Sequence, residues 1–272
     1  MAYTLLELPT WLLGSLIIVP CIVLTLLGAR VLHRKMPAPV DNEALVALHA
    51  TVSTIYTVLL AFVVVVVWQQ LSDAEGQVDT EATRLSNILR DSEALSPADS
   101  RSVTEAVHDY IHLASTRDWA AMARGREPDR QTAIAYERIW EAAYRIEPAG
   151  PRQEAFFREL VVRLNELGAA RRTRLLSARA SVPPVMWLLL VAGGLMVVVL
   201  SYLLPHGSRR GSNLALGATS GVIAITLFLI FAMDHPYSGD LRVDPSPLTD
   251  LIPRTEEMRV GGVSEAPSPR AS

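Results

Sequence analysis

The chain has 272 residues, of which 50% are hydrophobic and only 19% charged, with a net charge of −3. At this length so low a charged fraction points to a local apolar excess, and the near-neutral balance leaves no basic footprint for a nucleic-acid partner. The single cysteine, Cys21, excludes an intrachain disulfide and a cysteine-rich metal site.

The apolar excess falls into four runs, each able to cross a hydrocarbon core that needs about 20 apolar residues per helix. The first runs from about residue 9 to 32. It opens near Trp11, carries Pro20 inside and closes on Arg30, Arg34 and Lys35. Met1 to Thr10 holds no basic residue and no convincing cleavage site follows Gly28, so the run reads as a retained helix and not as a secretory signal. Met36-Pro37-Ala38-Pro39 breaks the chain and Asp41-Asn42-Glu43 restarts it.

The second run, about 45 to 68, is mildly polar in its first half, with His49, Thr51, Ser53, Thr54, Tyr56 and Thr57. From Leu59 to Val67 it is almost wholly aliphatic, and it ends on Trp68. Thr54, Thr57 and Ala61 recur at helical spacing and form a small, weakly polar stripe. Two readings apply to it: close packing between membrane helices, or the lining of a water-filled path.

The helix is expected to continue past Gln69 to about Ala94, with Val78, Ala82, Leu85 and Leu89 on one face. Ser96-Pro97-Ala98-Asp99 is a start signal, with Ser96 as N-cap and Pro97 in the first turn. That next helix carries Val103, Val107, Tyr110 and Ile111 and is expected to reach Met122. A turn over 125–129 precedes a helix over about 130–146, stopped by Glu147-Pro148-Ala149-Gly150-Pro151. A fourth helix then runs through Phe156, Leu160, Leu164 and Leu167 to Leu175.

The outer two of these helices have opposite charge. Asp73, Glu75, Asp79, Glu81, Asp91, Glu93 and Asp99 oppose only Arg84 and Arg90, while 152–180 holds seven arginines against three glutamates. An antiparallel stalk of the two, capped by the middle pair, would let these charges complement each other, each exposed pair contributing about 0–1 kcal/mol.

Pro183-Pro184 marks the third run, about 185–204, with Trp187 and Gly193-Gly194. Pro205 to Arg210 forms a short turn, and the fourth run, about 213–233, contains the pair Gly217 and Gly221. Asp234-His235-Pro236-Tyr237-Ser238-Gly239 follows, and from Pro245 onward the composition reads as a disordered tail. The fold class expected is therefore an all-α membrane protein with four transmembrane helices in two hairpins, residues 1–68 and 183–233, around a helical soluble domain at 69–182, with a tail over 234–272.

Arg30, Arg34, Lys35, Arg209 and Arg210 would place the hairpin turns in the cytoplasm, whereas Arg171, Arg172, Arg174 and Arg179 before the third run count the other way. The two sums nearly cancel, so the side of the soluble domain stays open. With one lysine among its basic residues, the composition fits a GC-rich genome, and a multi-pass protein of a bacterial plasma membrane is expected, its first partner the lipid bilayer.

The interiors of the first, third and fourth runs hold no ionisable residue of the kind that proton and cation relays need. That argues against active transport and leaves a passive pore open. Asp234 and His235, at the end of the fourth run, read as helix termination or interfacial solvation against a ligand site. His108 and His112 are spaced to share a metal, but no third ligand accompanies them, and a solvated surface is the expectation. No nucleophile elbow, phosphate-binding loop, dinucleotide fingerprint or zinc-cysteine cluster occurs, so neither catalysis nor a cofactor is expected.

Several segments together resemble the bestrophin-like family of bacterial and plant membrane proteins, a domain of unknown function. They are Tyr56-x-x-Leu59-Leu60-Ala61-Phe62, Glu81-Ala82-x-x-Leu85 with Leu89-Arg90, Tyr110, Trp119, Arg171-x-x-Arg174, Pro183 with Trp187, and Asp234-x-Pro236-Tyr237-x-Gly239 with Val243 and Pro245. The resemblance implies two hairpins around a helical segment and a distant likeness to bestrophins, which are pentameric anion channels. On that likeness the chain would form a homo-oligomer passing small anions. The second run would line the pore, with Ile55, Leu59, Phe62 and Val66 at its narrow part beside Thr54, Thr57 and Ala61. The acidic calcium clasp of bestrophins is missing here. The other expectation is a non-conducting membrane module that senses or binds a partner through its helical domain.

Overall fold

The computed structural model describes residues 9–35, 43–204 and 209–261. All elements among them are helices. In chain order they are α1 (Thr10–Lys35), α2 (Glu43–Ser92), α3 (Pro97–Leu113), a π-helical segment (Ala114–Asp118), α4 (Trp119–Ala123), α5 (Arg130–Tyr144), α6 (Pro151–Ser177), α7 (Pro184–Leu203), α8 (Arg209–Met233), α9 (Ser246–Thr249) and α10 (Ile252–Gly261). Four of them, α1, α2, α7 and α8, are long and apolar enough to cross a membrane. The turns expected at Met36–Pro39 and at Pro205–Ser208 lie outside the described residues.

The chain divides into two compact units, residues 1–71 with 180–242, and residues 72–179 with 243–272. The helix α2 is continuous over 50 residues and belongs to both. No proline interrupts it, so the backbone ladder that begins in the apolar half runs on into the charged half.

In the first unit α1 packs chiefly along α8, and α8 also packs on α7. Pro20 sits inside α1 without ending it. Tyr56, Leu60, Val63 and Val67 of α2 form one buried stripe, which meets Val182, Leu190 and Val197, the latter two on α7, and Ile230 and Met233 of α8. The spacing of these four α2 residues is that of a single helix face. Gly217 and Gly221 face Ile22 of α1 at ordinary van der Waals distance, so this glycine pair supports an α1–α8 contact without being forced by it. The tighter fit is elsewhere. A Cβ on Gly193 would stand 2.7 Å from the Tyr56 ring, and one on Gly194 would stand 2.8 Å from the Tyr56 hydroxyl. Both glycines are needed for α7 to approach α2 this closely.

In the second unit α3 packs on α5 and on α10. Helix α3 starts where the sequence indicates: the Ser96 hydroxyl accepts from Asp99 N–H at 3.2 Å and Pro97 occupies the first turn. Asp129 caps α5 in the same way, accepting from Gln131 N–H at 2.9 Å. The core joins Leu85, Ile88 and Leu89 of α2, Val107, Tyr110 and Ile111 of α3, Ile139 of α5 and Leu160, Leu164 and Leu167 of α6, all fully buried.

Two features differ from the sequence reading. Helix α3 does not run regularly to Met122, because a π-helical segment intervenes at Ala114–Asp118 before α4. The chain beyond Pro245 is not a disordered tail as far as Gly261: α9 and α10 are helical, and Leu248 and Thr255 are completely buried. The Pro and Ser content that suggested disorder includes Pro245 and Ser246, which open α9. A few well-placed apolar side chains are enough to dock so short a segment. Residues 262–272 lie outside the described range.

Candidate functional site

Three groups of residues stand out, and they belong to different parts of the chain. The first is the outward face of α2 in the first unit. Thr54, Thr57 and Ala61 are exposed there, as are Ile55 and Phe62, at 65% and 67%, and Val66; Leu59 is half-buried against the core stripe. The expected narrow-part residues Ile55, Leu59, Phe62 and Val66 each precede by one residue the packed stripe Tyr56, Leu60, Val63 and Val67. One residue turns a helix by about 100°, so the former stripe lies beside the packed face and is largely uncovered. Thr54 and Thr57 donate their hydroxyls to Ala50 O and Ser53 O at 2.8 Å, the i−4 pattern that satisfies a hydroxyl without water.

The opposite face of α2 is tied to α7 by polar contacts as well as by packing. The Tyr56 hydroxyl donates to Leu190 O at 3.0 Å. His49 Nε2 meets Ser201 Oγ at 2.9 Å, and Ser201 in turn donates to Val197 O. Because the serine has a single proton, already given to Val197, the arrangement that satisfies both contacts has His49 as the donor. His49 is the one ionisable side chain on α2 between Glu43 and Tyr56, and it is used to join helices.

The second group is a buried ionic cluster in the second unit. Arg174 of α6 and Glu81 of α2 are wholly buried, with Arg174 Nε donating to Glu81 Oε2 at 2.5 Å and Nη2 to Glu81 Oε1 at 3.3 Å. Tyr110 of α3 donates its hydroxyl to Glu81 Oε1 through a short hydrogen bond. Asp118 Oδ2 lies 3.5 Å from Arg174 Nη2, while its Oδ1 accepts from Asp129 N–H at 2.9 Å. The Trp119 ring covers the guanidinium at 5.0 Å. The π-helical segment makes this possible. Its extra residue per turn delivers Asp118 and Trp119 together to the arginine, the kind of local re-aiming for which such segments are used.

Burial would lower the affinity of Arg174 for its proton, but its surrounding partners, Glu81 foremost and Asp118 among them, together more than reverse this, so the guanidinium holds its proton above its ordinary range. Burial pushes the Asp118 carboxyl up, against the opposing pull of Arg174. Burial and the neighbouring Glu81 charge push the Tyr110 hydroxyl well up, so it stays protonated and remains a donor. Arg171, the other arginine of the expected pair, does not join the cluster and lies over the Tyr136 ring at 5.2 Å. Arg90 is exposed near the end of α2. The charge complementarity expected between the outer helices takes a different form here. The central pair is the buried Glu81–Arg174, and a half-buried bridge between these helices, Arg84–Glu166 at 3.1 Å, has its signs opposite to the overall bias.

The third group is the loop after α8, in the first unit. Asp234 is buried and accepts from Val182 N–H at 2.5 Å, just before α7, and from Trp187 Nε1 at 3.4 Å. Tyr237 and Ser238 are buried as well, and Gly239 takes a positive φ of 77° that turns the chain back. Asp240 then accepts from both the backbone N–H and the hydroxyl of Thr10, at 2.7 and 2.6 Å, capping the start of α1. These bonds hold the Asp240 carboxyl below its usual range. Asp234, Pro236 and Gly239 thus belong to a clasp that holds the starts of α1 and α7 to the end of α8. The side-chain bonds of Asp234 are both made to the entry of α7.

His108 and His112 do not face a common ligand. His108 Nδ1 meets Thr255 Oγ1 of α10 at 2.8 Å, whereas His112 is exposed, and no cluster of metal-ligating residues occurs among the described residues. Tyr56 with Gly193 and Gly194, and Asp118 in the cluster, were not singled out by spacing. A charged residue inside each of two apolar stripes, Glu81 between Val78 and Leu85 and Arg174 after Leu167, is the signal that could have paired them.

A protein-family model described as the Bestrophin-like domain matches residues 15–248. No curated protein and no solved structure matches the chain.

Proposed function

The chain belongs to the bestrophin-like family, and as a membrane protein of that family we propose that it is an oligomeric passive channel for small anions, without enzymatic activity. In this reading α1, α2, α7 and α8 cross the bilayer of a bacterial plasma membrane as two hairpins, the helical segment between α2 and α7 stays outside the lipid, and α2 faces the axis of a ring of identical chains.

The observation that carries the reading is the unequal treatment of the two faces of α2. One face is fixed by the Tyr56–Gly193 fit and by two hydrogen bonds to α7. The other, with Thr54, Thr57, Ala61, Ile55 and Phe62, is left uncovered by its own chain. A helix held rigidly from behind, with small, weakly polar residues and large apolar ones uncovered in front, suits a pore wall with an apolar constriction. Beyond Glu43, the membrane-crossing half of α2 carries no acidic side chain before Asp73, which would repel an anion. The lack of carboxylates inside α1, α7 and α8 supports a passive path over a coupled one.

Halide efflux from liposomes holding the purified chain tests this: efflux above that of empty liposomes is expected, and its absence where a known anion channel conducts would refute the channel. A second reading, a non-conducting module acting through its helical unit, is favoured by the Thr54 and Thr57 hydroxyls already being satisfied by their own helix. Under that reading the protein stays monomeric or dimeric in mild detergent, and polar substitutions at Thr54 and Thr57 are harmless.

A further inference from the structure

We propose that the end of the first unit marked by Trp11 and Trp68 is a phospholipid contact at the level of the headgroups, where the two indole N–H groups bond to lipid ester or phosphate oxygens and fix the depth of the chain. The proposal rests on the reading of α1, α2, α7 and α8 as membrane-crossing.

A chain of contacts places both tryptophans at one end of this unit. Trp11 follows Thr10, which is bonded to Asp240. Six residues earlier in the same loop, Asp234 is bonded to Val182 and Trp187 at the start of α7. Val182, in turn, shares a buried cluster with Val67 and Met233, and Trp68 follows Val67. The clasp loop therefore gathers the start of α1, the start of α7, the end of α8 and the Trp68 level of α2.

The tryptophans at this end are used in different ways. Trp187 spends its N–H on Asp234 and packs edge-on against Phe231. Trp11 and Trp68 are 73% and 63% exposed, and their indole N–H groups have no partner among the described residues. A large apolar ring with an unmatched donor is stable neither in water nor deep in hydrocarbon, and the boundary between them satisfies both halves of the side chain.

The spacing along the helices agrees. At the usual helical rise, Arg30 stands about 28 Å from Trp11 on α1, and His49 stands about 28 Å from Trp68 on α2. Both separations match a hydrocarbon core of about 30 Å. Each helix thus has an exposed tryptophan at one boundary and a basic or ionisable side chain one core thickness away, at the other. Beyond Trp68 the sequence turns polar at once with Gln69 and Gln70.

The full chain, reconstituted in phosphatidylcholine vesicles, tests the proposal through quenching of tryptophan fluorescence by lipids brominated either near the headgroup or near the chain terminus. The expected result is stronger quenching by the shallow bromines, with most of that difference lost in the W11F/W68F double variant. Equal or deeper quenching in the parent, or a double variant that keeps the shallow quenching, would overturn it. An L195W variant, at an exposed site midway along α7 on the same face as Leu188, reports separately on the underlying reading: quenching of its added fluorescence by the deep bromines supports a crossing α7. If that fails, the spanning itself is refuted and the contact with it.

Discussion

Each of the two units is stabilised internally, and by opposite means. The first uses shape: glycines that admit a tyrosine ring, a carbonyl that accepts its hydroxyl and, among the described residues, no ion pair between the apolar helices. The second buries a full ion pair, Glu81 with Arg174, beneath Tyr110, Asp118 and Trp119. Among helices in lipid there is no hydrophobic gain from packing one against another, so close fit and a few hydrogen bonds must hold them. A unit that can exclude water from its interior can also hold a charge there, provided that every lone pair and every proton is matched. The difference predicts that the first unit is sensitive to added volume and the second to lost charge.

The largest effect is expected from breaking the ion pair. R174Q leaves Glu81 buried without its cation and should lower stability by about 3–5 kcal/mol. Because the residues act as a pair, E81L/R174L should cost clearly less than the sum of the two single changes, as read by denaturation of the purified chain. A strictly additive double variant would show that the pair is not the unit of stability. Next comes the added methyl group of G193A, which forces the Tyr56 ring to move and should cost about 1–3 kcal/mol. G217A, at a site with ordinary contact distances, should cost less and serves as the control. If both glycine changes cost the same, close approach is not what distinguishes the α2–α7 contact.

A smaller effect is expected of Y56F, which keeps the ring and removes only the hydrogen bond to Leu190 O, at about 0.6 kcal/mol. The smallest is a pH dependence. Burial raises the Asp118 carboxyl, so the folded state binds its proton more tightly than the unfolded chain does. Stability from this group is therefore greatest at acid pH and falls as pH rises from the ordinary aspartate pKa of about 3.9 through the raised folded value. D118N removes that titration, and the melting temperature of the parent should fall relative to D118N over this interval. A difference that does not change with pH would place the Asp118 proton affinity at its ordinary value.

Much of this architecture is legible in the sequence because it depends on local patterns. Four apolar runs, the unbroken passage of α2 from Trp68 into the charged region, and the Ser96-Pro97 start of α3 are all decided by composition and capping within a few residues. What escaped depends on residues far apart in the chain. Gly193 matters only because Tyr56, more than a hundred positions away, is laid against it, and a Gly-Gly pair by itself does not name its partner. The surface charges of α2 and α6 suggested the right pair of helices, but the contact rests on Glu81 and Arg174, which the same count treats as two charges among many. Asp118 enters the cluster through a π-helical segment whose register no apolar periodicity reveals. The tail was misread for a different reason. Its proline and serine content outweighs Leu248 and Thr255 in any compositional average, although those two side chains are buried to completion.

The face of α2 that its own chain leaves uncovered is where the account is most exposed to test. In a C21S background, single cysteines at Thr57 and at the exposed Leu188 of α7 can be treated in native-like membranes with a charged, lipid-insoluble thiol reagent. T57C is expected to be modified, because its face borders water, while L188C, bordering lipid, is expected to be protected. Protection of T57C to the same degree as L188C would contradict it.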